Sequence, residues 1–235
     1  MWSAGLPRVR LRIATEEQPA TTETLVFDIA GRSEERVVLS ARLDGHDLAE
    51  SAIDNASGVA VALAVARAAA PHLAGFRRGL SLCLFSVEEW ALTGSRLYVD
   101  ALGPPERDRI ALNVNLGSVG GSAVLTALTS DFPHLDGFVR QVAHRCGQPI
   151  GVHWPLMSNS DHANFVRAGI PALRLVAGFD DPASNLRYVL TPADTRDKVS
   201  AAELGTAAAA GTALVIAACD APAETMRRLR ERENP

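Results

Sequence analysis

The sequence predicts an α/β fold, a three-layer sandwich in which a mostly parallel central sheet is flanked by helices on both faces. Two observations carry this. Short runs of strand-forming residues alternate along the chain with longer stretches of small and apolar residues at helical spacing, as expected for strands joined by crossover helices. The chain has 235 residues, 47% apolar and 21% charged, which is enough for one such domain over 1–235 rather than two.

Residues 8–13, within an N-terminal strand region (1–23), and residues 23–29 alternate apolar with polar positions and predict two antiparallel strands. Residues 37–41 form a short apolar strand, followed by a polar loop to 53. From 54 to 70 nearly every residue is small or apolar, which predicts a helix buried on most sides. Asp54 opens it, where a carboxylate can accept bonds from the free backbone amides. Residues 80–86 are a second buried strand, and 91–102 a helix with Arg96 and Asp100 facing outward. Beyond Pro104 and Pro105, strands are expected at 110–116, 123–128 and 173–177, and helices at 135–145, 161–168 and 201–219. A charged tail, 220–235, carries Arg227, Arg228, Arg230 and Arg232 as a solvated helix end.

With 23 basic and 27 acidic residues, the formal charge of -4 offers no field that would attract nucleic acid. Cys83, Cys146 and Cys219 form no pairing pattern and read as small core residues in a reducing compartment. The first dozen residues lack the continuous apolar segment of a signal peptide. No window offers the roughly 18 apolar residues of a membrane span, because Gly211 and Thr212 interrupt the most apolar helix. A cytoplasmic chain is therefore expected, or an exported one if it is a fragment of a longer precursor.

In parallel sheets, ligands sit outside the carboxyl ends of the strands. Three motifs lie at such ends: Arg42-Leu43-Asp44, Glu88-Glu89 and Asn115-Leu116-Gly117. Neighbouring carboxylates such as Glu88 and Glu89 repel, which raises the proton affinity of one of them unless a cation lies beside the pair. Taken singly, Asp54 reads as a helix cap, Glu88 and Glu89 as solvated acids, and Asp161 and His162 as polar groups at a helix start. Their order along the chain points elsewhere.

The DNASG turn at 54–58, the SVEEWALTGS run at 86–95, residues 113–121, the SDHANFVRAGIPALRL run at 160–175 and residues 190–199 follow one another in a family order. Over about 24–218 the chain resembles metallopeptidase family 28, the zinc-dependent aminopeptidases related to bacterial leucine aminopeptidases. The resemblance implies a zinc-aminopeptidase (phosphorylase/hydrolase-like) fold. It also implies two zinc ions, and hydrolysis of the N-terminal residue from a peptide or small amino-acid derivative. Carried onto this sequence, it implies Asp54 as the ligand bridging both ions, Glu89 as a terminal ligand and Glu88 as the general base. Zinc lowers the pKa of its bound water to about 7, and a nearby carboxylate can relay the proton to the leaving amine. Asp44 would orient the first ligand, and Asp161 and His162 would line the site.

Three ligand positions depart from the family pattern. Arg42 stands where the family has its first histidine, Gly117 where it has a second aspartate ligand, and Leu190 where it has its last histidine. The intervals match without gaps: Asp54 lies 12 residues after Arg42, Glu89 35 after Asp54, and Gly117 28 after Glu89. One ion would thus keep only Asp54 and the other Asp54 and Glu89, whereas catalytic zinc takes three protein ligands. Substitute ligands are conceivable: His46 lies four residues after Arg42, and His162, Asn115 and Asp194 are expected near the mouth. Arg42 offers another solution, since a guanidinium can neutralise Asp54 or Glu89 in place of a metal. Two function classes follow: a peptidase with an impaired zinc site, or an inactive relative serving as a binding or assembly scaffold.

Overall fold

Seven strands, β1 (Leu25–Ile29), β2 (Arg36–Arg42), β3 (Gly79–Phe85), β4 (Ile110–Leu116), β5 (Leu125–Leu128), β6 (Ile150–His153) and β7 (Ala172–Ala177), form one sheet in a computed structural model that describes residues 10–16 and 18–232. Their order in the sheet is β1-β3-β2-β4-β7-β5-β6. The central four, β3, β2, β4 and β7, run parallel, so their carboxyl ends lie side by side on one rim. The edges break the pattern: β1 is antiparallel to β3, and β5, which pairs in parallel with β6, is antiparallel to β7.

Seven helices surround the sheet: α1 (Ser57–Leu73), α2 (Thr93–Ala101), α3 (Pro104–Arg109), α4 (Pro133–Cys146), α5 (His162–Arg167), α6 (Ala201–Asp220) and α7 (Ala223–Leu229). Strand alternation separates them into two layers. Leu82 and Leu84 of β3 share a groove with Leu63 and Ala66 of α1. Phe85, pointing the other way, packs its ring against Tyr98 of α2 and Phe165 of α5. Every residue of β3, β4 and β7 is buried, as a sheet covered on both faces requires. Each Val, Leu or Phe fully buried there contributes about 1.5–3 kcal/mol.

Several expectations need correction. Residues 10–13 lie outside any strand and are exposed, and residues 8 and 9 fall outside the described residues; β1 takes β3 as its antiparallel partner instead. Helix α1 is buried along a single stripe, Val61, Ala62, Val65, Ala66, Ala69 and Leu73, while Leu63 on the opposite side is 51% exposed. Pro104 and Pro105 open α3 rather than merely ending α2, because a fixed φ and a missing amide proton suit the first helical turn. Cys146 is exposed; only Cys83 and Cys219 are core residues.

Helix α6 runs unbroken through Gly211 and Thr212. It begins with a reciprocal cap, the Ser200 hydroxyl accepting from the Glu203 amide at 3.2 Å and the Glu203 carboxylate accepting from the Ser200 amide at 2.8 Å. Both Ala52–Leu73 and Ala201–Asp220 are long and apolar enough to cross a membrane by length and composition alone. Here α1 and α6 pack on each other, and Gly211 allows the approach: a Cβ there would lie 3.0 Å from Val65 Cγ2. The arginine tail is only half solvated. Arg227 and Arg228 are exposed beside Glu224, but Arg230 Nη2 donates to the carbonyls of Arg107 and Asp108, and the Arg232 guanidinium sits 4.9 Å from the centre of the Phe132 ring.

Candidate functional site

Arg42 is the last residue of β2, and its side chain turns into the rim of the sheet with 4% exposure. Asp54 reaches the same point from an irregular segment. With φ -122° and ψ 84° it is not helical, and α1 starts only at Ser57, so Asp54 is not the helix cap the sequence predicts. Tertiary bonds override the local preference. The buried Asp194 carboxylate accepts from the amides of Ile53 at 2.6 Å and Asp54 at 3.2 Å. The Asn55 side chain bridges to the end of β4, donating to the Leu116 carbonyl and accepting from the Ser118 amide, both at 3.0 Å. Gly58 has no room for a side chain, since a Cβ would run into Asn55 and the Leu116 carbonyl.

Glu88 and Glu89 follow β3 in a turn in which Val87, Ala91 and Leu92 all have positive φ. Asp44 holds this turn to the end of β2: its Oδ2 accepts from the Glu89 amide at 3.1 Å, while its carbonyl accepts from Arg42 Nη1 at 2.7 Å.

The three acids converge on the Arg42 guanidinium. Its Nη2 lies 2.7 Å from Asp54 Oδ2 and 2.8 Å from Glu89 Oε1, and its Nε 3.4 Å from Glu88 Oε2. Burial pulls the Arg42 pKa down, but the charges of Asp54, Glu88 and Glu89 outweigh it and the net shift is upward. Glu88 is pushed up to about 8, chiefly by burial, with Arg42 opposing.

A second guanidinium lies beyond the first. Arg174, on β7, packs over Gly117: a Cβ at position 117 would lie 2.7 Å from Arg174 Nε. Its Nη2 donates to Ser118 Oγ at 3.2 Å, and that hydroxyl donates to Asp54 Oδ1 at 2.9 Å. Asp54 is therefore held between two cations, directly by Arg42 and through Ser118 by Arg174. Neither Ser118 nor Arg174 follows from the motifs. The available signal was Arg174 itself, a charge inside a strand of otherwise buried apolar residues.

These groups border a cavity of about 310 Å³ whose remaining walls include Leu128, Val176, Phe179, Leu186, Val189 and Leu190. None of the expected substitutes borders the cavity. His46 lines a separate depression, its Nδ1 accepting from the Leu48 amide. Asn115 is buried inside the sheet between Ser40 and Ser160. Asp194 is committed to backbone amides. Asp161 and His162 are fully buried without hydrogen-bond partners for their carboxylate oxygens and ring nitrogens, and do not border the cavity. Burial pushes Asp161 up to about 6; burial first, then Arg174 and Arg167, pushes His162 down to about 3.

This donor set does not fit two zinc ions. The three carboxylates are already turned toward a permanent cation that has no lone pair to offer a metal. Among the described residues no three His, Cys, Asp or Glu side chains gather as a metal site requires.

The chain is nonetheless similar to peptidases along most of its length. A 166-residue stretch is 30% identical to leupeptin-inactivating enzyme 1 of Streptomyces exfoliatus, covering 68% of this chain and 37% of that protein. Aminopeptidase YwaD of Bacillus subtilis is 27% identical over 184 residues, 76% of this chain and 40% of the relative. The chain thus spans well under half the length of both. The structure of BSAP, a zinc aminopeptidase from Bacillus subtilis, superposes with a TM-score of 0.75 at 26% identity, over 84% of this chain and 49% of that one. The sequence profile of peptidase family M28 matches residues 24–215, and the chain belongs to that family.

Proposed function

We propose that this chain is a non-hydrolytic member of its peptidase family, a binding module whose pocket is organised by arginine instead of zinc. The observation that carries this reading is the Arg42 guanidinium, 2.7 and 2.8 Å from the two carboxylates that the family resemblance assigns to metal. A buried guanidinium remains charged at any physiological pH, so it neutralises Asp54 and Glu89 permanently. A zinc ion would have to displace it at the cost of two short ion pairs while finding too few ligands of its own. Glu88 then has no polarised water to deprotonate, and burial, which pushes it up to about 8, leaves it largely neutral in the pocket.

Zinc titration of the chelator-treated chain by calorimetry, together with release of p-nitroaniline from leucine p-nitroanilide, tests this. Neither stoichiometric zinc uptake nor chelator-sensitive release is expected. Tight uptake of one or two zinc ions with activity that a chelator abolishes would overturn the reading and return the chain to the aminopeptidases.

A further inference from the structure

The two arginines of the pocket differ in how they are satisfied. Arg42 is matched by three carboxylates. Arg174 is 9% exposed, yet no Asp or Glu oxygen among the described residues lies within 4.0 Å of it, and its Nε has no hydrogen-bond partner. Its bonds go only to the neutral Gly117 carbonyl and Ser118 hydroxyl. Asp54 reaches Arg174 only through the Ser118 hydroxyl, and a buried cation with no carboxylate in direct contact is costly, so an incoming carboxylate would relieve part of that cost.

The same cavity also has an acidic lining residue with spare capacity. Glu89 is the most exposed of the three acids, at 24%, and engages Arg42 through Oε1 alone. Its other oxygen is free to accept from an ammonium group. The cavity is also lined by the apolar side chains of Val176, Phe179, Leu186 and Val189. The volume of about 310 Å³ is at the small end of small-molecule sites, which begin near 300 Å³.

Building on the non-hydrolytic reading above, we propose that the pocket binds a free α-amino acid with an apolar side chain. The ligand's carboxylate lies on Arg174, its ammonium on Glu89 and its side chain against the apolar wall. The carbonyl of a longer peptide at the same place is neutral and leaves Arg174 unpaired, so a free zwitterion is preferred over an amino-terminal residue.

Calorimetry on the whole chain, with chelator present, tests this with L-leucine, L-leucinamide and 4-methylpentanoate. Leucine is expected to bind saturably, and the other two, each lacking one charge, about 10- to 100-fold more weakly. Arg174→Met is expected to abolish the preference for leucine over leucinamide. The ligand series on the unaltered chain decides the matter even if that variant does not fold. Leucinamide binding as tightly as leucine, or no saturable leucine binding at millimolar concentration, overturns the proposal. Because chelator is present throughout, either result leaves the non-hydrolytic reading standing; that reading fails only on zinc uptake and turnover.

Discussion

Replacing Arg42 by methionine removes the cation and keeps an unbranched apolar stem, leaving Asp54, Glu88 and Glu89 facing one another. Removing one partner of a buried ion pair costs about 3–5 kcal/mol. The lower half of that range fits here, because Asp54 and Glu89 are 13% and 24% exposed and water can partly solvate them. In a chain of this size the loss is expected to lower the melting temperature by about 6–16 °C near neutral pH. The deficit must depend on pH. Without Arg42 nothing opposes the burial that already raises Glu88 to about 8, so the variant's deficit is smallest below the unfolded carboxylate range, where the acids are neutral, and grows as pH rises. Thermal unfolding followed by circular dichroism, with chelator, should therefore show a large deficit near neutrality and a small one near pH 4. Arg42→Lys, which keeps the charge and loses the fork, is expected to cost less than half as much. An unchanged melting temperature, or an equal deficit at both pH values, would refute the electrostatic role and reduce Arg42 to packing.

Restoring the family ligands with Arg42→His, Gly117→Asp and Leu190→His together is expected not to restore zinc binding, because a Cβ at position 117 meets Arg174 Nε at 2.7 Å. Adding Arg174→Ala should allow uptake; tight zinc binding by the triple variant in calorimetry would show that Arg174 is no obstacle. Asp161→Asn is expected to stabilise the chain by up to about 3 kcal/mol in urea titrations above pH 6 and to leave it unchanged below 3.8, since the folded pKa of about 6 exceeds the usual 3.8 and the cost of the charge builds between them. His162 works in the opposite direction. Its folded pKa of about 3 lies below the usual 6.5, so the native chain loses stability as pH falls through that window, and His162→Gln should flatten this acid slope.

The sheet was largely legible because its central strands are continuous apolar runs, such as GLSLCLF in β3, which leave few alternatives. β6 escaped notice: IGVH is four residues long and half-exposed, with too little pattern to separate it from a loop. The convergence of Asp54, Glu88 and Glu89 at one rim followed from the family resemblance, since each residue alone reads as a cap or a solvated acid. The local conformation of Asp54 was not, since bonds from Asp194, 140 residues away, pull it out of the helix that its neighbours favour. Arg174 was overlooked for a different reason. Its partners are the backbone at Gly117 and the hydroxyl of Ser118, groups that no spacing rule marks.

On the ligand positions that the family resemblance implies, the residues at 42 and 117 make physical sense only together. Losing a histidine and an aspartate ligand alone would abolish zinc binding and leave Asp54, Glu88 and Glu89 as a buried cluster of like charge, a state that should drive the rim of the sheet apart. Here the histidine position supplies a guanidinium, and the glycine at 117 creates the space in which a second guanidinium lies against the strand end. Asp54 retains the geometry of a bridging group, one oxygen toward each cation, with Ser118 interposed on one side. Two arginines carry half the charge of two zinc ions, and the remaining imbalance is partly met by Glu88, whose pKa of about 8 keeps it mostly protonated at neutrality. The pocket is therefore compensated at two of the three departing positions: Arg42 stands at one and Arg174 lies against Gly117 at the second, while Leu190 brings only apolar surface. Such a site requires no metal to fold, and it can hold a ligand only through the charges that the protein does not already match.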